Sequence, residues 1–172
     1  MITWPIYLFI LIELIFVTYL DVKHRKIANT WSLINIGIAV VLFSLFPKAY
    51  PVVFGTFQFS IVFILVGFFL FILKIMGGGD SKFLASFFLI VPLDKQDQVF
   101  LLLLISTVII GVIVLVINIF SKWETLVTSL REKNIQGVKS CFGTKFAYAP
   151  VILVTWILFG MNLLKKGELI LN

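Results

Sequence analysis

Six long apolar runs dominate this chain and restrict what it can fold into. The runs cover roughly residues 2–20, 31–46, 52–75, 81–93, 99–120 and 147–164. Because 61% of the 172 residues are hydrophobic and only 13% are charged, a water-soluble fold could not bury the apolar surface. The runs lack the two-residue alternation of barrel strands, so helices remain the way to satisfy the backbone in lipid. The sequence predicts an all-α polytopic protein of about six transmembrane helices, with residues 1–172 forming one domain in the lipid bilayer.

The first run and the cysteine content give two further predictions. No basic stretch precedes the first run and no small-residue cleavage site follows it, so we expect it to be retained as a helix. The single cysteine, Cys141, can form neither an intramolecular disulfide nor a paired-cysteine zinc site. We therefore expect no bound metal and no cofactor.

Lys and Arg residues are distributed unevenly over the loops, which alternate between the two sides of the membrane. One side collects Lys23, Arg25, Lys26, Lys74, Lys82, Lys122, Arg131, Lys133, Lys139 and Lys145. The other side has Lys48, Lys95, Lys165 and Lys166. Loops rich in Lys and Arg stay in the cytoplasm, so we expect the first side to be cytoplasmic. The net charge of +6 then reflects topology and attraction to anionic lipid, and without a nucleic-acid-binding motif it predicts no nucleic-acid partner.

Two segments on the predicted cytoplasmic side carry acids at the ends of apolar runs. Asp21 follows the first run and leads into a basic stretch, and Asp80 precedes the fourth run after three glycines. Ionised carboxylates are costly to desolvate, so acids at the edge of hydrocarbon indicate a functional site. Two simpler interpretations compete: Asp21 as an interfacial acid paired with its basic neighbours, and Asp80 as the N-cap of a helix.

The glycines before Asp80 are not explained by a helix cap. Glycine forfeits helix propensity and permits close approach of another backbone, which we expect at this point. A phosphate-binding loop is excluded, because its Lys-Ser/Thr ending and preceding buried strand are missing. As a helix, residues 80–93 would span about 21 Å, short of a hydrocarbon core of about 30 Å. We therefore expect Asp80 to lie recessed below the cytoplasmic surface in a water-filled site.

In combination, these segments resemble the type IV prepilin peptidase family, whose aspartyl peptidases carry a Gly-x-Gly-Asp motif. The Gly-x-Gly-Asp-x-Lys pattern of the family is matched by Gly77, Gly79, Asp80 and Lys82. The first motif of the family is matched by Asp21, Lys26, Ile27 and Asn29. A shorter third motif is matched by residues 146–150, before the last apolar run. Ala28 stands where the family usually has Pro, which leaves the rigidity of that loop open.

The resemblance implies a membrane aspartyl endopeptidase similar to the short, peptidase-only members of tight-adherence pilus systems. The methyltransferase region of longer members is missing, so no such activity is expected. Asp21 and Asp80 would form a dyad sharing one proton, with Asp80 ionised because a helix N-terminus favours negative charge. The implied substrates are prepilin or pilin-like proteins with a short basic leader. They would be cleaved at the cytoplasmic face of a prokaryotic inner membrane.

Four polar residues beside the two acids allow two interpretations. Lys26, Lys82 and Asn29 would shape the site or position the substrate, or the two lysines would only anchor the topology at the membrane boundary. His24 has no ligand partner nearby in the sequence and is expected to be solvated.

Two features away from the motifs also call for an explanation. Glu13 lies in the middle of the first run, where it is expected to face the bundle and bond a polar neighbour. Within residues 121–145, apolar residues at i, i+3, i+4 and i+7 from Trp123 predict a short amphipathic helix lying in the interface.

Two other functions compete with the prepilin peptidase hypothesis. A presenilin-like intramembrane protease also has a Gly-x-Gly-Asp helix start, but both of its acids would be expected within long spans, whereas Asp21 leads directly into basic residues. A small cation transporter could use paired acids as a cation site. Against it, the halves of the chain show no obvious repeat and the acids lie at one membrane face.

Overall fold

The computed structural model describes residues 4–73, 76–132 and 147–167, without the side chains of residues 125, 126 and 130. These residues form the helices α1 (Trp4–His24), α2 (Asn29–Leu45), α3 (Phe54–Ile72), α4 (Gly78–Leu89), α5 (Leu93–Ser121), α6 (Trp123–Arg131) and α7 (Ala149–Lys166). The described part of the chain contains no strand. The predicted all-α polytopic fold is confirmed.

The helices differ in whether they are long enough to cross a membrane. By length and composition, α1, α3, α5 and α7 can each span it, and α2 is a shorter apolar helix of 17 residues. The fourth predicted run corresponds to α4, which has only 12 residues, about 18 Å of helix. This helix begins at Gly78, earlier than predicted, and α5 begins at Leu93 because its polar first turn is also helical.

The short helix α4 lies at the centre of the bundle, between α2 and α3. Its side chains are buried almost all round, including Phe83, Phe87 and Phe88. Against α3, a side chain at Gly67 would collide with Ser81 of α4, so the two backbones approach closely here. By contrast, α3 and α5 turn many apolar side chains outward. That distribution is what a bundle in lipid requires, because the exposed helices meet hydrocarbon instead of water.

The C-terminal end of α4 is closed by polar groups from neighbouring segments. Gln96 is 1% exposed, and its amide Nε2 donates to the carbonyl oxygens of Phe88 at 3.0 Å and Val91 at 3.2 Å. The Tyr50 hydroxyl donates to Ile90 O at 3.1 Å. The last carbonyl groups of a helix have no partner within the helix and must be satisfied when they are buried. These contacts explain how α4 can end inside the protein.

Replacing Gln96 by Leu should therefore destabilise the bundle. The change leaves buried carbonyl oxygens without donors, which lowers the free energy of unfolding by about 1–3 kcal/mol. Denaturant unfolding in detergent would measure this, with Gln98→Leu as the control because Gln98 lies two positions further along α5 and is not buried. Equal stability of the Gln96 variant and the wild type would rule out this role.

The helix α7 packs antiparallel against α1 through aromatic rings. Tyr7 and Trp156 stack with ring centroids 5.3 Å apart, and Trp156 Nε1 donates to Tyr7 O at 3.2 Å. Gly160 lies against the Tyr7 ring, where a side chain would collide with it. These contacts fix α7 relative to α1, which is the helix that carries Asp21.

Glu13 and the segment after α5 follow their predictions in part. Glu13 is buried beside the Asn35 amide of α2. With this amide turned so that its nitrogen faces Glu13, it donates to Oε1 at 2.8 Å and Oε2 at 3.0 Å, which gives Glu13 a polar partner inside the bundle. The predicted amphipathic segment forms α6, and its interfacial position stays a prediction. Residues 133–145, with Cys141 and several of the counted lysines, lie outside the described residues, as does Lys74.

Candidate active site

Asp21 lies in the last turn of α1 and faces the start of α7. Its side chain is 2% exposed, and its Oδ2 accepts a hydrogen bond from the backbone N–H of Ala149 at 3.0 Å. A negative charge is unfavourable at the C-terminus of a helix and favourable at the N-terminus. The start of α7 therefore compensates for the position of Asp21 at the end of α1.

This contact gives a structural role to the third motif. Of residues 146–150, Phe146 lies outside the described residues, while Ala149 and Pro150 form the first turn of α7. Proline suits a first turn because it has no N–H to leave unpaired. The sequence indicated the motif, but no local pattern connects Ala149 with Asp21, which lies 128 residues before it.

Asp80 occupies the first turn of α4, two residues after the helix begins. Gly77 is the N-cap, and its backbone N–H donates to Asp80 Oδ2 at 3.1 Å. An acid at this third position commonly bonds back to the N-cap residue. The simpler interpretation of Asp80 as the N-cap itself is therefore wrong. Asp80 is partly exposed, in contrast to the buried Asp21.

The glycine sequence brings the two acid-bearing segments together. A Cβ atom at Gly79 would collide with the backbone carbonyl oxygen of Ile27, the buried residue in the loop between α1 and α2. At Gly78 it would meet only the Phe71 ring, at an ordinary distance of 3.6 Å. The predicted close approach of another backbone is present, and Gly79 is the residue that permits it.

Two cavities lie on either side of this backbone contact. The first, of about 800 Å³, is lined by Asp80, Gly77, Met76 and the basic stretch from His24 to Lys26. The second, of about 760 Å³, is lined by residues that include Asn29, Lys82 and again Lys26. The cavities share Ile27, Gly78 and Gly79. A peptide next to Asp80 would therefore also lie against the loop that follows Asp21.

The structure separates the other predicted site residues by the cavity that each of them lines. Lys26 lines both cavities, whereas Asn29 and Lys82 line only the second, and all three side chains are exposed. His24 is exposed and also lines both cavities. These residues thus line two adjoining cavities at one end of the bundle, Lys82 and Asn29 in the one that Asp80 does not line, whereas the buried Asp21 lines neither cavity.

Comparison with known protein families identifies the family of this chain. The model of the type IV leader peptidase family matches residues 8–116, more than half of the chain. The chain belongs to the type IV leader peptidase family. Searches of curated proteins and of solved structures return no match. The matched range includes both acids and the glycine motif but ends before α7.

The electrostatics of Asp80 in this leader peptidase depend on burial and on the neighbouring acid. Burial first, and the negative charge of Asp21 second, raise the pKa of Asp80 from 3.8 to about 6, against the opposing effect of the Gly77 N–H. Asp21 also lies at a helix N-terminus, that of α7, so a helix N-terminus does not distinguish the two acids, and the ionised state of Asp80 stays a prediction.

The raised pKa of Asp80 predicts a pH-dependent effect on stability. The pKa of Asp80 is higher in the folded chain than in the unfolded chain. Below about pH 4 the carboxyl is protonated in both states and carries no penalty, whereas above about pH 6 it is ionised in both states and its burial opposes folding. Asp80→Asn removes this penalty. We expect the variant to be more stable than the wild type by about 1–2 kcal/mol at pH 7. Thermal unfolding in detergent should show this difference disappearing at pH 4, and a constant difference would contradict the assignment.

Proposed function

We propose that this leader peptidase is an aspartic endopeptidase in which Asp21 and Asp80 form the catalytic dyad. The observation that carries the proposal is the backbone contact between Ile27 and Gly79, which joins the two acid-bearing segments beside a cavity lined by Asp80. The influence of Asp21 on the pKa of Asp80 supports it. The described helices act as one peptidase domain.

In the proposed reaction the two acids have opposite protonation states. Asp21 is ionised, held by the N–H of Ala149, and removes a proton from a water molecule that attacks the scissile carbonyl. In the reactive form Asp80 carries the proton and donates it to the carbonyl oxygen, which gives a neutral tetrahedral diol. The C–N bond then breaks as the amine takes the proton from Asp21 and a diol hydroxyl returns a proton to Asp80. Both acids return to their starting states.

The proposed substrates are prepilin or pilin-like proteins with a short basic leader and an apolar helix after it. Lys and Arg resist translocation across the membrane. The basic leader would therefore remain in the cytoplasm, as the basic loops of the enzyme do. The basic residues at the end of α1, Lys23, Arg25 and Lys26, support a cytoplasmic position of both acids in a prokaryotic inner membrane. The cleavage bond would then lie at the level of Asp80.

Co-expression with a tagged prepilin-like substrate tests this function. We expect the substrate to lose its leader with the wild type, seen as a gel mobility shift, and to remain intact with Asp80→Asn. Mass spectrometry of the new N-terminus locates the cleaved bond. Cleavage inside the apolar segment would favour a presenilin-like protease. Acid-dependent ion uptake without any cleavage would favour a cation transporter.

A further inference from the structure

A groove between α2 and α3 begins where the two candidate active-site cavities end. Its volume is about 400 Å³, and its lining includes Asn29 and Lys82, which also line the second cavity. The groove therefore continues the second cavity away from the cytoplasmic end. Along α4, its floor runs from Lys82 to Leu89, about 10 Å or two helical turns into the membrane.

The two walls of the groove diverge towards the cytoplasmic side. Both α2 and α3 pack on α4. At their outer ends they meet through Phe43 and Phe57, whose ring centroids are 5.8 Å apart. The groove lies on the other side of this contact, between Ile36 of α2 and Ile64 of α3. It is thus closed towards the outside and open towards the candidate active site and the surrounding lipid.

Small polar residues line the groove at membrane depth. Ser60 and Ser86 already donate to backbone carbonyl oxygens, at 2.8 Å each. Ser32 differs, because it is 6% exposed and its hydroxyl has no hydrogen-bond partner among the described residues. A buried hydroxyl without a partner is costly in a membrane, and small residues let another helix approach closely. Both features indicate that a helix occupies the groove at some stage.

We propose that the groove between α2 and α3 binds the first two turns of the apolar helix that follows the cleaved bond in the substrate. This inference rests on the proposed function. The groove is the right length for two turns and lies at membrane depth. It meets the second cavity at Asn29 and Lys82, and the second cavity shares Gly79 with the first, which Asp80 lines. Ser32 would hydrogen-bond a polar group of the bound helix.

Disulfide crosslinking with a matched control tests this proposal. Ile64 lines the groove, whereas Leu65 is the next residue of α3, is exposed to the same extent (55% and 56%) and does not line it. Each residue is changed to Cys in a chain that also carries Asp80→Asn and Cys141→Ser. Asp80→Asn retains the substrate. The prepilin-like substrate carries one cysteine in the second turn of its apolar helix. We expect an adduct with Ile64→Cys and little or none with Leu65→Cys.

If the wild type cleaves the substrate, the proposed function is supported, and three results would then overturn the docking proposal alone. These are equal adducts at both positions, no adduct with Ile64→Cys, and a crosslink between two copies of the chain that excludes substrate. If the wild type does not cleave the substrate, the proposed function itself fails. The two failures are therefore distinguishable in one set of samples.

Bulky substitutions provide a second measurement that does not depend on crosslinking. Ile64→Trp fills the groove and should lower kcat/KM for the helix-bearing substrate by about tenfold or more, while Leu65→Trp stays within about twofold. A soluble peptide that contains the cleaved bond without the apolar helix should be cut equally by both variants. Equal loss on the two substrates would contradict docking, because it would indicate damage to the active site.

Discussion

Asp21→Asn and Asp80→Asn should each lower kcat/KM for leader cleavage by about 10³-fold or more. A positioned acid or base contributes about 10²–10⁴-fold to a reaction, and the dyad needs one ionised and one protonated member at the same time. Asparagine keeps the size of the side chain and can still accept the N–H bonds from Ala149 or Gly77. Cleavage by the purified variants in detergent measures the effect, and circular dichroism confirms that they are folded.

The control for these variants is Asp97→Asn. Asp97 is an exposed acid in the polar N-terminal part of α5, beyond the opposite end of α4 from Asp80. We expect its removal to change kcat/KM by less than about twofold, because surface substitutions outside special features have small effects. If Asp97→Asn reduced cleavage as much as Asp80→Asn, general loss of negative charge would be the better explanation.

Gly79→Ala should lower kcat/KM by about 10²-fold, the second large effect. Its Cβ would collide with the carbonyl oxygen of Ile27, and a backbone atom cannot move aside as a flexible side chain can. The loop after α1 would separate from the start of α4 and displace Asp80 relative to Asp21. A misplacement of about 1 Å in a catalytic site can lower the rate by about 10²-fold. Single-turnover cleavage would separate this loss from weaker substrate binding.

Gly78→Ala is the matched control for this change. At Gly78 the new methyl group would meet only the Phe71 ring at 3.6 Å, and alanine favours helix more than glycine does. We expect cleavage by Gly78→Ala to stay within about threefold of the wild type. Similar losses in the two alanine variants would show that the glycines matter through flexibility and not through the contact with Ile27.

The sequence predicted the apolar helices and the residues of the two motifs because both depend on local patterns. Long apolar runs identify helices in lipid, and the glycines before Asp80 indicated a close backbone approach, now seen at Ile27. The start of α5 was predicted too late because its polar first turn resembled a loop. In the structure this turn carries Gln96, which satisfies the end of α4.

Contacts between distant parts of the chain could not be predicted in the same way. The N–H of Ala149 reaches Asp21 only because α7 packs on α1 through Tyr7 and Trp156. No local pattern specifies that pairing. The sequence favoured Asp80 as the ionised acid because it showed a helix N-terminus next to Asp80 and could not show that α7 begins next to Asp21. The position of α7 places Asp21 at a helix N-terminus as well.

Cleavage by the double variant Asp21→Asn/Asp80→Asn is the most direct test of the central claim that the two acids act as one catalytic unit. The measurement compares kcat/KM of the purified wild type, both single variants and the double variant on one prepilin-like substrate. Residues that act as a unit have strongly non-additive effects. We predict that the double variant is no more than about tenfold slower than either single variant. A loss close to the product of the two single losses, or substantial cleavage by either single variant, would contradict the dyad.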